Sequence, residues 1–568
     1  MLLILISWIY LFVTALVFGV AFKRLLKLEK LNIVITLFLG LFSITLLAGF
    51  WAIFFAIDAL FYSILLILNI IFFILNKSGI FNVIDQLIKK IKTLLPIFKI
   101  LLVLLTVLLL AKCATAPFLI DNETYYIQTI KWLNNYGLTK GLVNLHPFLG
   151  QTSNWHILQS SFNFGFIYNK LNDISGFTLL LGNIYAFFKL NNYIKTIDKK
   201  RTDLIIGLFP MFNIFLFQFI NTPSPDIAIY VLALIIFSEF IVCYKTFSKQ
   251  AFYSVFILSV FAVFIKLNAV FFIILPIILY KRYYIFTRRT TSTIFVLSAT
   301  TLGLLIIKNI IITGSALYPI NSIEALKTSW SLPNTIHNYL ASYEKAASYG
   351  FTLKEYQNTS VLNVLKSWLT QPKLDGFFNC LMVLLLIICP FFISKIKEKK
   401  ALFIIYGLAL IFFVFLLFIS PQYRFFFPFL MFLSLVISAF IFKKNTVITL
   451  ILSLSILLPI IPLFFYSSTS ALTNMPWHKT TSTFSFQYLL EPHSNSKYKN
   501  DFETITVGNT TIHSIINGSD FIWETGNLPL PALNNTQMKY FKTYFRVIPQ
   551  QYTNNLKDGF YSKLFKDE

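Results

Sequence analysis

Long unbroken apolar runs return along most of this chain, and they constrain it more than any other feature. About fourteen stretches of close to twenty residues carry almost no charge: near 1–22, 32–53, 58–76, 99–116, 174–190, 204–220, 226–243, 251–265, 268–280, 292–312, 374–394, 401–419, 425–442 and 446–466. A helix needs about 20 apolar residues to cross the hydrocarbon core of a bilayer. Every backbone polar group must be satisfied inside lipid, so only helices and closed barrels cross it. Continuous runs, rather than alternating ones, select helices. The pair 251–265 and 268–280 is short and reads as a kinked pair or a re-entrant hairpin, which makes the expected count about twelve to fourteen. Of the 568 residues, 57% are hydrophobic and only 12% are charged, against about 25% charged in soluble domains. That excludes a soluble globular enzyme and a disordered chain alike. The expected fold is an all-α polytopic membrane protein with large loops on its outer face and a small C-terminal extracytoplasmic α+β domain.

The formal net charge is +24. In a soluble chain that would point to nucleic acid; here it points to topology, because multispan proteins concentrate Lys and Arg in cytoplasmic loops. No basic residue precedes the first run, and Lys23, Arg24, Lys27 and Lys30 follow it. The chain therefore reads as starting outside. Alternation then assigns Lys89, Lys90 and Lys92; Lys199, Lys200 and Arg201; Lys245 and Lys249; Lys281, Arg282, Arg288 and Arg289; Lys395, Lys397, Lys399 and Lys400; and Lys443 and Lys444 to the cytoplasm. The turns near Asp58, Asn221 and Ser420 are almost free of Lys and Arg. This is the pattern of a cell inner (cytoplasmic) membrane protein with its N-terminus and its tail outside.

The same reading divides the chain into four parts. A block of about four helices, 1–116, comes first. An outer segment, 117–173, follows it. A transmembrane core, 174–466, carries a second outer segment, 315–373. The last part is a tail, 467–568, in which Thr504–Val507, Gly508-Asn509 and Thr510–His513 read as a β-hairpin with a two-residue turn. Cys113, Cys243, Cys380 and Cys389 lie in or beside apolar runs without metal-ligand spacing, so neither a disulfide framework nor a thiolate site is expected.

Several residues have the chemistry of a site. Asp121 and Glu123 follow the fourth run, just beyond Pro117. They suit a general base or a substrate-orienting carboxylate at the membrane surface. They could also be hard oxygen ligands for a divalent cation such as Mg²⁺ or Mn²⁺. Equally, Asp121 suits a helix cap. His146 and His156, the latter in Asn154-Trp155-His156, could join the carboxylates in an acid–base cluster or sit as interfacial side chains. Arg424, in Pro421-Gln422-Tyr423-Arg424-Phe425, opens a Phe-rich run; its planar fork fits phosphate oxygens, with Tyr423 beside it. Snorkelling to the interface is the alternative. Lys266 interrupts an apolar run and could meet a phosphate, or Asp226. No Gly-rich phosphate loop and no nucleophile elbow is present.

Taken in order, these motifs resemble the GT-C superfamily, the integral-membrane glycosyltransferases that use polyprenyl-phosphate sugars, among them the protein O-mannosyltransferases and the aminoarabinose transferases of lipid A. The matches are Asp121 and Glu123, then His146-Pro147-Phe148-Leu149-Gly150, then Lys308-Asn309 with Gly314-Ser315-Ala316-Leu317-Tyr318-Pro319, then Pro421-Gln422-Tyr423-Arg424-Phe425. From Asp121 to Phe164 the chain is also similar to a multipass membrane family seen in leptospires and Bacteroidota. Asn122 separates the carboxylates, Phe148 stands where His-Pro-Pro is usual, and the 1–116 block is longer than in most relatives, so it reads as an appended module.

The resemblance implies an inverting transfer of sugar from a polyprenyl-phosphate donor to an envelope glycan, lipid or protein. Asp121 would be the base, Glu123 or His146 would orient it or the acceptor, and Arg424 with Lys266 would hold the phosphate. Two alternatives stand beside it: a transporter or flippase of lipid-linked glycans, and a non-catalytic subunit of envelope assembly. Polar mass gathered in outer loops, with no repeated halves, disfavours the transporter.

Overall fold

A computed structural model describes residues 1–29, 31–165, 173–320, 327–474, 479–498, 501–516 and 521–565. Lys30, one of the basic residues flanking the first run, lies outside the described residues. The protein is mostly helical. Among the described residues, 11 helices are long and apolar enough to cross a membrane: Leu2–Leu25, Ile33–Phe54, Ala59–Lys92, Pro96–Cys113, Arg201–Phe219, Pro225–Lys245, Tyr284–Thr313, Lys373–Ile393, Lys399–Ile419, Tyr423–Ile441 and Asn445–Phe465. It is a multi-pass membrane protein. Shorter or more polar helices occupy the remaining apolar runs: Ile174–Lys195, Lys249–Ile265 and Ile274–Arg282, the last preceded by a 3₁₀ stretch, Leu267–Ile273.

Local chemistry explains several of these elements. Asn32 and Asp58 cap the second and third helices by accepting the amides of Val34 and Leu60, as short polar side chains do at helix starts. The first two helices approach closely because small residues line their contact: a Cβ on Gly19 would meet the Thr36 carbonyl oxygen at 2.0 Å, and one on Gly40 the Ala15 oxygen at 1.8 Å. Small residues are the usual means of backbone-to-backbone packing in lipid.

The third helix runs past the 58–76 apolar run: residues 77–92, which carry Lys89, Lys90 and Lys92, continue it beyond a kink at Asn76 (φ −125°, ψ 17°). The cause is visible in hindsight: Ile80, Val83, Ile84 and Leu87 repeat at helical spacing. Arg24 fastens the kink by donating to the Leu75 carbonyl (2.9 Å) and the Asn76 side chain (3.2 Å).

The polar segments gather at one end of the bundle. The 117–173 segment folds as a five-residue π-helix, Asn122–Tyr126, then helices Ile127–Tyr136 and Asn154–Ser160. The 315–373 segment contributes helices Asn334–Ser348, Leu353–Asn358 and Val361–Leu369. In the tail, β1 (Phe502–Val507) and β2 (Thr510–Ile515) form the antiparallel hairpin expected from sequence, with Gly508 at φ 60° in its turn. A second antiparallel pair, β3 (Val547–Gln551) and β4 (Phe560–Leu564), follows the helix Asn535–Phe545.

The tail is fastened to the first segment. The amides of Thr525 and Gly526 donate to the Glu123 carbonyl at 2.9 and 2.8 Å. Gln128 and Lys131 reach the Leu528 carbonyl, and Ser562 donates to Asn144. Tyr540 bonds Tyr339, which ties the tail to the second segment as well. All four cysteines are free.

Candidate functional site

Asp121 and Arg424, 303 residues apart, meet in an ion pair with Nη1 at 2.6 Å from Oδ2. Asp121 immediately precedes the Asn122–Tyr126 π-helix. In a π-helix residues five apart stack on one face, and Tyr126 accordingly donates its hydroxyl to the same Asp121 oxygen at 3.4 Å. Burial, then the neighbouring Tyr125, Asp121 and Asp226, push the Tyr126 phenol well above its ordinary range; it stays a donor. Arg424 is the second residue of its helix. Gln422 accepts from its Nε at 2.9 Å, and Tyr230 donates to its carbonyl at 2.8 Å. The loop before that helix is held by Trp368, whose indole donates to the Pro421 carbonyl at 2.9 Å.

A second ion pair lies next to the first. Asp226 sits in the first turn of the Pro225–Lys245 helix, and Lys266 at the break that ends the Lys249–Ile265 helix; the two are in direct contact. Phe425 joins the pairs. Its ring centre is 4.6 Å from Lys266 Nζ and 5.3 Å from the Arg424 guanidinium carbon, both within cation–π range. The side chains of Asp121, Arg424 and Lys266 are 19%, 30% and 26% exposed, so a ligand can reach all three, whereas Asp226 is 3% exposed and serves Lys266 from behind. Glu344, on the Asn334–Ser348 helix, faces the same group. Burial raises its carboxyl; Arg424 and Lys266 oppose that and Asp121 adds to it. Phe425 also lines a small, mostly apolar void, about the size of one water, with Ile229, Ala269, Phe271, Phe412 and Phe429.

The other residues singled out from sequence are elsewhere engaged. The Glu123 carboxylate accepts from Ser496 Oγ (2.6 Å), the Lys497 amide (3.0 Å) and Asn122 Nδ2 (3.2 Å), and the side chain is buried. Burial raises its carboxyl against those three bonds. His146 spends both ring nitrogens: Nε2 pairs with the Trp523 carbonyl at 3.0 Å and Nδ1 accepts the Phe148 amide at 3.2 Å. Burial pushes His146 down to about 4. His156 closes a capping box with Ser153 and packs against Tyr126 at 4.7 Å between ring centres; burial, with the Lys308 charge second, pushes it down to about 3. Tyr423 stacks near Phe378, with its hydroxyl bonded by Gln218.

So Asp121, Arg424, Lys266 and Asp226 come together, and Glu123, His146 and Tyr423 do not join them. The shared Asp121–Glu123 cation site is not formed, because the two carboxylates are held by different partners. Among the described residues no group of three or more His, Cys, Asp or Glu side chains is placed to hold a metal.

Sequence reasoning missed Tyr126, Gln422 and Glu344. The π-helical spacing that selects Tyr126 has no local sequence signal. Gln422 stood two residues from Arg424 and could have been read as its partner. Glu344 carries no signal outside the fold.

The molecule is thus a helical multi-pass membrane protein with a charged cluster of residues from five distant segments at one end. The chain belongs to a family described as Domain of unknown function (DUF8201), whose model matches residues 1–431. The match takes in the first four helices and every residue of the cluster. No curated protein and no solved structure matches the chain significantly.

Proposed function

We propose that the protein is a GT-C-type glycosyltransferase of the inner membrane. It moves a sugar from a polyprenyl-phosphate donor to an envelope glycan, lipid or protein at the outer face. The single observation that carries this reading is the Asp121–Arg424 pair, a carboxylate and a phosphate-matching fork in contact and open to a ligand. The resemblance in motif order supports it. In this reading the membrane domain has fourteen spans: the eleven long helices, Ile174–Lys195, Lys249–Ile265 and the 267–282 stretch.

The chemistry follows from the side chains. Arg424 has five N–H donors, of which Asp121 and Gln422 take two. The others, with Lys266, receive the donor phosphate. The acceptor hydroxyl oxygen attacks the anomeric carbon from the opposite side, its proton passes to Asp121, and the bond from carbon to phosphate oxygen breaks. Negative charge grows on the leaving phosphate, where Arg424 and Lys266 already stand, so the transition state gains more than the ground state. Tyr126 and Gln422 orient the pair, and Asp226 holds Lys266. Glu123 and His146, first read as orienting acceptor or base, act at a distance by fixing the tail to the carboxylate segment.

The test is release of polyprenyl phosphate from a polyprenyl-phosphate sugar by the purified full-length protein. Release that Asp121→Asn abolishes supports the enzyme. Movement of labelled lipid across vesicles without bond cleavage replaces it by the transporter.

A further inference from the structure

The opposite end of the bundle carries a second charged feature. A cleft enclosing ≈ 580 Å³, part of it open solvent, is walled by the 198–201 turn, by Lys245 at the end of the Pro225–Lys245 helix, and by the 395–398 turn. Six basic side chains (Lys199, Lys200, Arg201, Lys245, Lys395 and Lys397) line it against Asp198 and Glu398, a net +4. Glu398 is already bound by Lys245 at 3.3 Å. Phe440 stands beside the cleft with three cations around its ring: Arg201 at 5.0 Å, Lys443 at 5.5 Å and Lys395 at 5.7 Å from the centre.

A positive-inside bias explains why each loop is basic. It does not explain why turns separated by almost two hundred residues bring their cations into one concavity. Like charges gathered in one cleft repel, more strongly beside a low-dielectric bundle than in water, and one aromatic ring offsets only part of that. An anion in the cleft removes the conflict. The depth is right for a lipid headgroup. Asp226 and Lys245 lie on one continuous helix, 19 residues apart, or about 28 Å at 1.5 Å per residue, which is close to the ~30 Å hydrocarbon thickness. Next to the cations, Phe391 and Ile441 are each 60% exposed and offer an apolar surface for a chain.

We propose that this cleft binds a phosphate ester, the headgroup of an anionic phospholipid in the leaflet opposite the candidate catalytic site. Arg201 and Lys395 hold the phosphate oxygens, and the exposed apolar surface takes the acyl chains. Basic pockets between helices on this side of a membrane commonly have that use. The inference does not depend on glycosyl transfer.

Delipidated full-length protein in detergent tests it, with phosphatidylglycerol, phosphatidylcholine and glycerol 3-phosphate as probes and thermal unfolding as the readout. Phosphatidylglycerol is expected to raise the unfolding midpoint and phosphatidylcholine not to. Removing two cations in R201Q/K395Q should weaken the phosphatidylglycerol response by about 30-fold in concentration, from about 1 kcal/mol per basic residue. R288Q/R289Q, which removes two cations from the Arg288–Thr290 turn near the start of the Tyr284–Thr313 helix, should leave it unchanged. A response to glycerol 3-phosphate as large as that to the lipid supports the phosphate site and assigns it to a soluble ester. Equal responses in wild type and R201Q/K395Q, or an equal loss in R288Q/R289Q, overturn the proposal. Should R201Q/K395Q fail to fold, native mass spectrometry of the wild type from mixed nanodiscs decides: preferential retention of phosphatidylglycerol supports the site, and no preference overturns it.

Discussion

A carboxylate in contact with an arginine has two readings, a base beside its phosphate clamp or a structural tie, and Asp121 separates them experimentally. Asp121→Asn keeps an oxygen for Arg424 and for Tyr126 but cannot accept a proton. If Asp121 is the base, turnover falls by about 10²–10⁴-fold, the usual contribution of general-base catalysis. The thermal midpoint moves little, because the pair is partly exposed and such pairs contribute at most about 1 kcal/mol. If it is only a tie, the midpoint again moves little and turnover stays within a few-fold of wild type. Arg424→Lys is the companion measurement. It keeps one charge but loses the planar fork that serves Asp121, Gln422 and a phosphate together. Donor affinity and turnover should both fall, because the phosphate gains charge as it leaves. Glu344 supplies the internal control. A silent Asp121→Asn beside a damaging Glu344→Gln moves the base to Glu344, the other accessible carboxylate of the cluster; Glu123, buried under three donors, is not a candidate for that role.

At the level of elements, what could be read from sequence was what each segment decides alone. An apolar run enters lipid whatever its neighbours are, and the Val507–Thr510 turn forms because Gly508 tolerates a positive φ. What could not be read depends on partners supplied elsewhere: the Ser496 and Lys497 donors that take Glu123, the Trp523 carbonyl that takes His146, and the π-helical offset that pairs Tyr126 with Asp121. This junction of tail and carboxylate segment should respond to pH. His146 is pushed down to about 4 from an ordinary 6.5. The folded junction therefore prefers the neutral ring. Its contribution is complete above pH 6.5 and is lost as the pH falls from 6.5 towards 4, about 2 kcal/mol of it by pH 5. His156 acts in the same sense. Glu123 acts in the opposite one: its carboxyl is raised, so its share weakens as the pH climbs above 4.5. Hydrogen exchange in the 521–526 stretch, corrected for intrinsic rate, reads the difference. Wild type should lose protection between pH 7.5 and pH 5, and His146→Gln, which cannot titrate, should lose markedly less. Equal losses in the two proteins would assign the junction's pH response to groups other than His146.

For the whole molecule, the two charged ends are what orientation acts on. Asp226 and Lys245 terminate one helix, and Arg424 and Phe440 lie near opposite ends of another. The Asp121 cluster and the basic cleft are therefore on opposite faces of any bilayer the bundle crosses. The tail shares the face of the cluster, since it is bonded to Glu123, Gln128 and Asn144. The proposed orientation, taken from the Lys and Arg bias, puts that face outside, and the proposed glycosyltransferase, fed by an outer-leaflet polyprenyl donor, requires the same. A cysteine-free background with Asn554→Cys in the exposed β3–β4 connection, or Lys400→Cys at the basic end, makes the assignment measurable with a membrane-impermeant thiol reagent on intact cells. Asn554→Cys should label and Lys400→Cys should label only after the membrane is opened. The reverse result would turn the molecule over. The pairing of Asp121 with Arg424 would survive, but the cluster would face the cytoplasm, and its donor would have to come from the inner leaflet. Labelling of both positions in intact cells would break the two-ended bundle itself, because no single helix of about 28 Å could then separate Asp226 from Lys245 across the membrane.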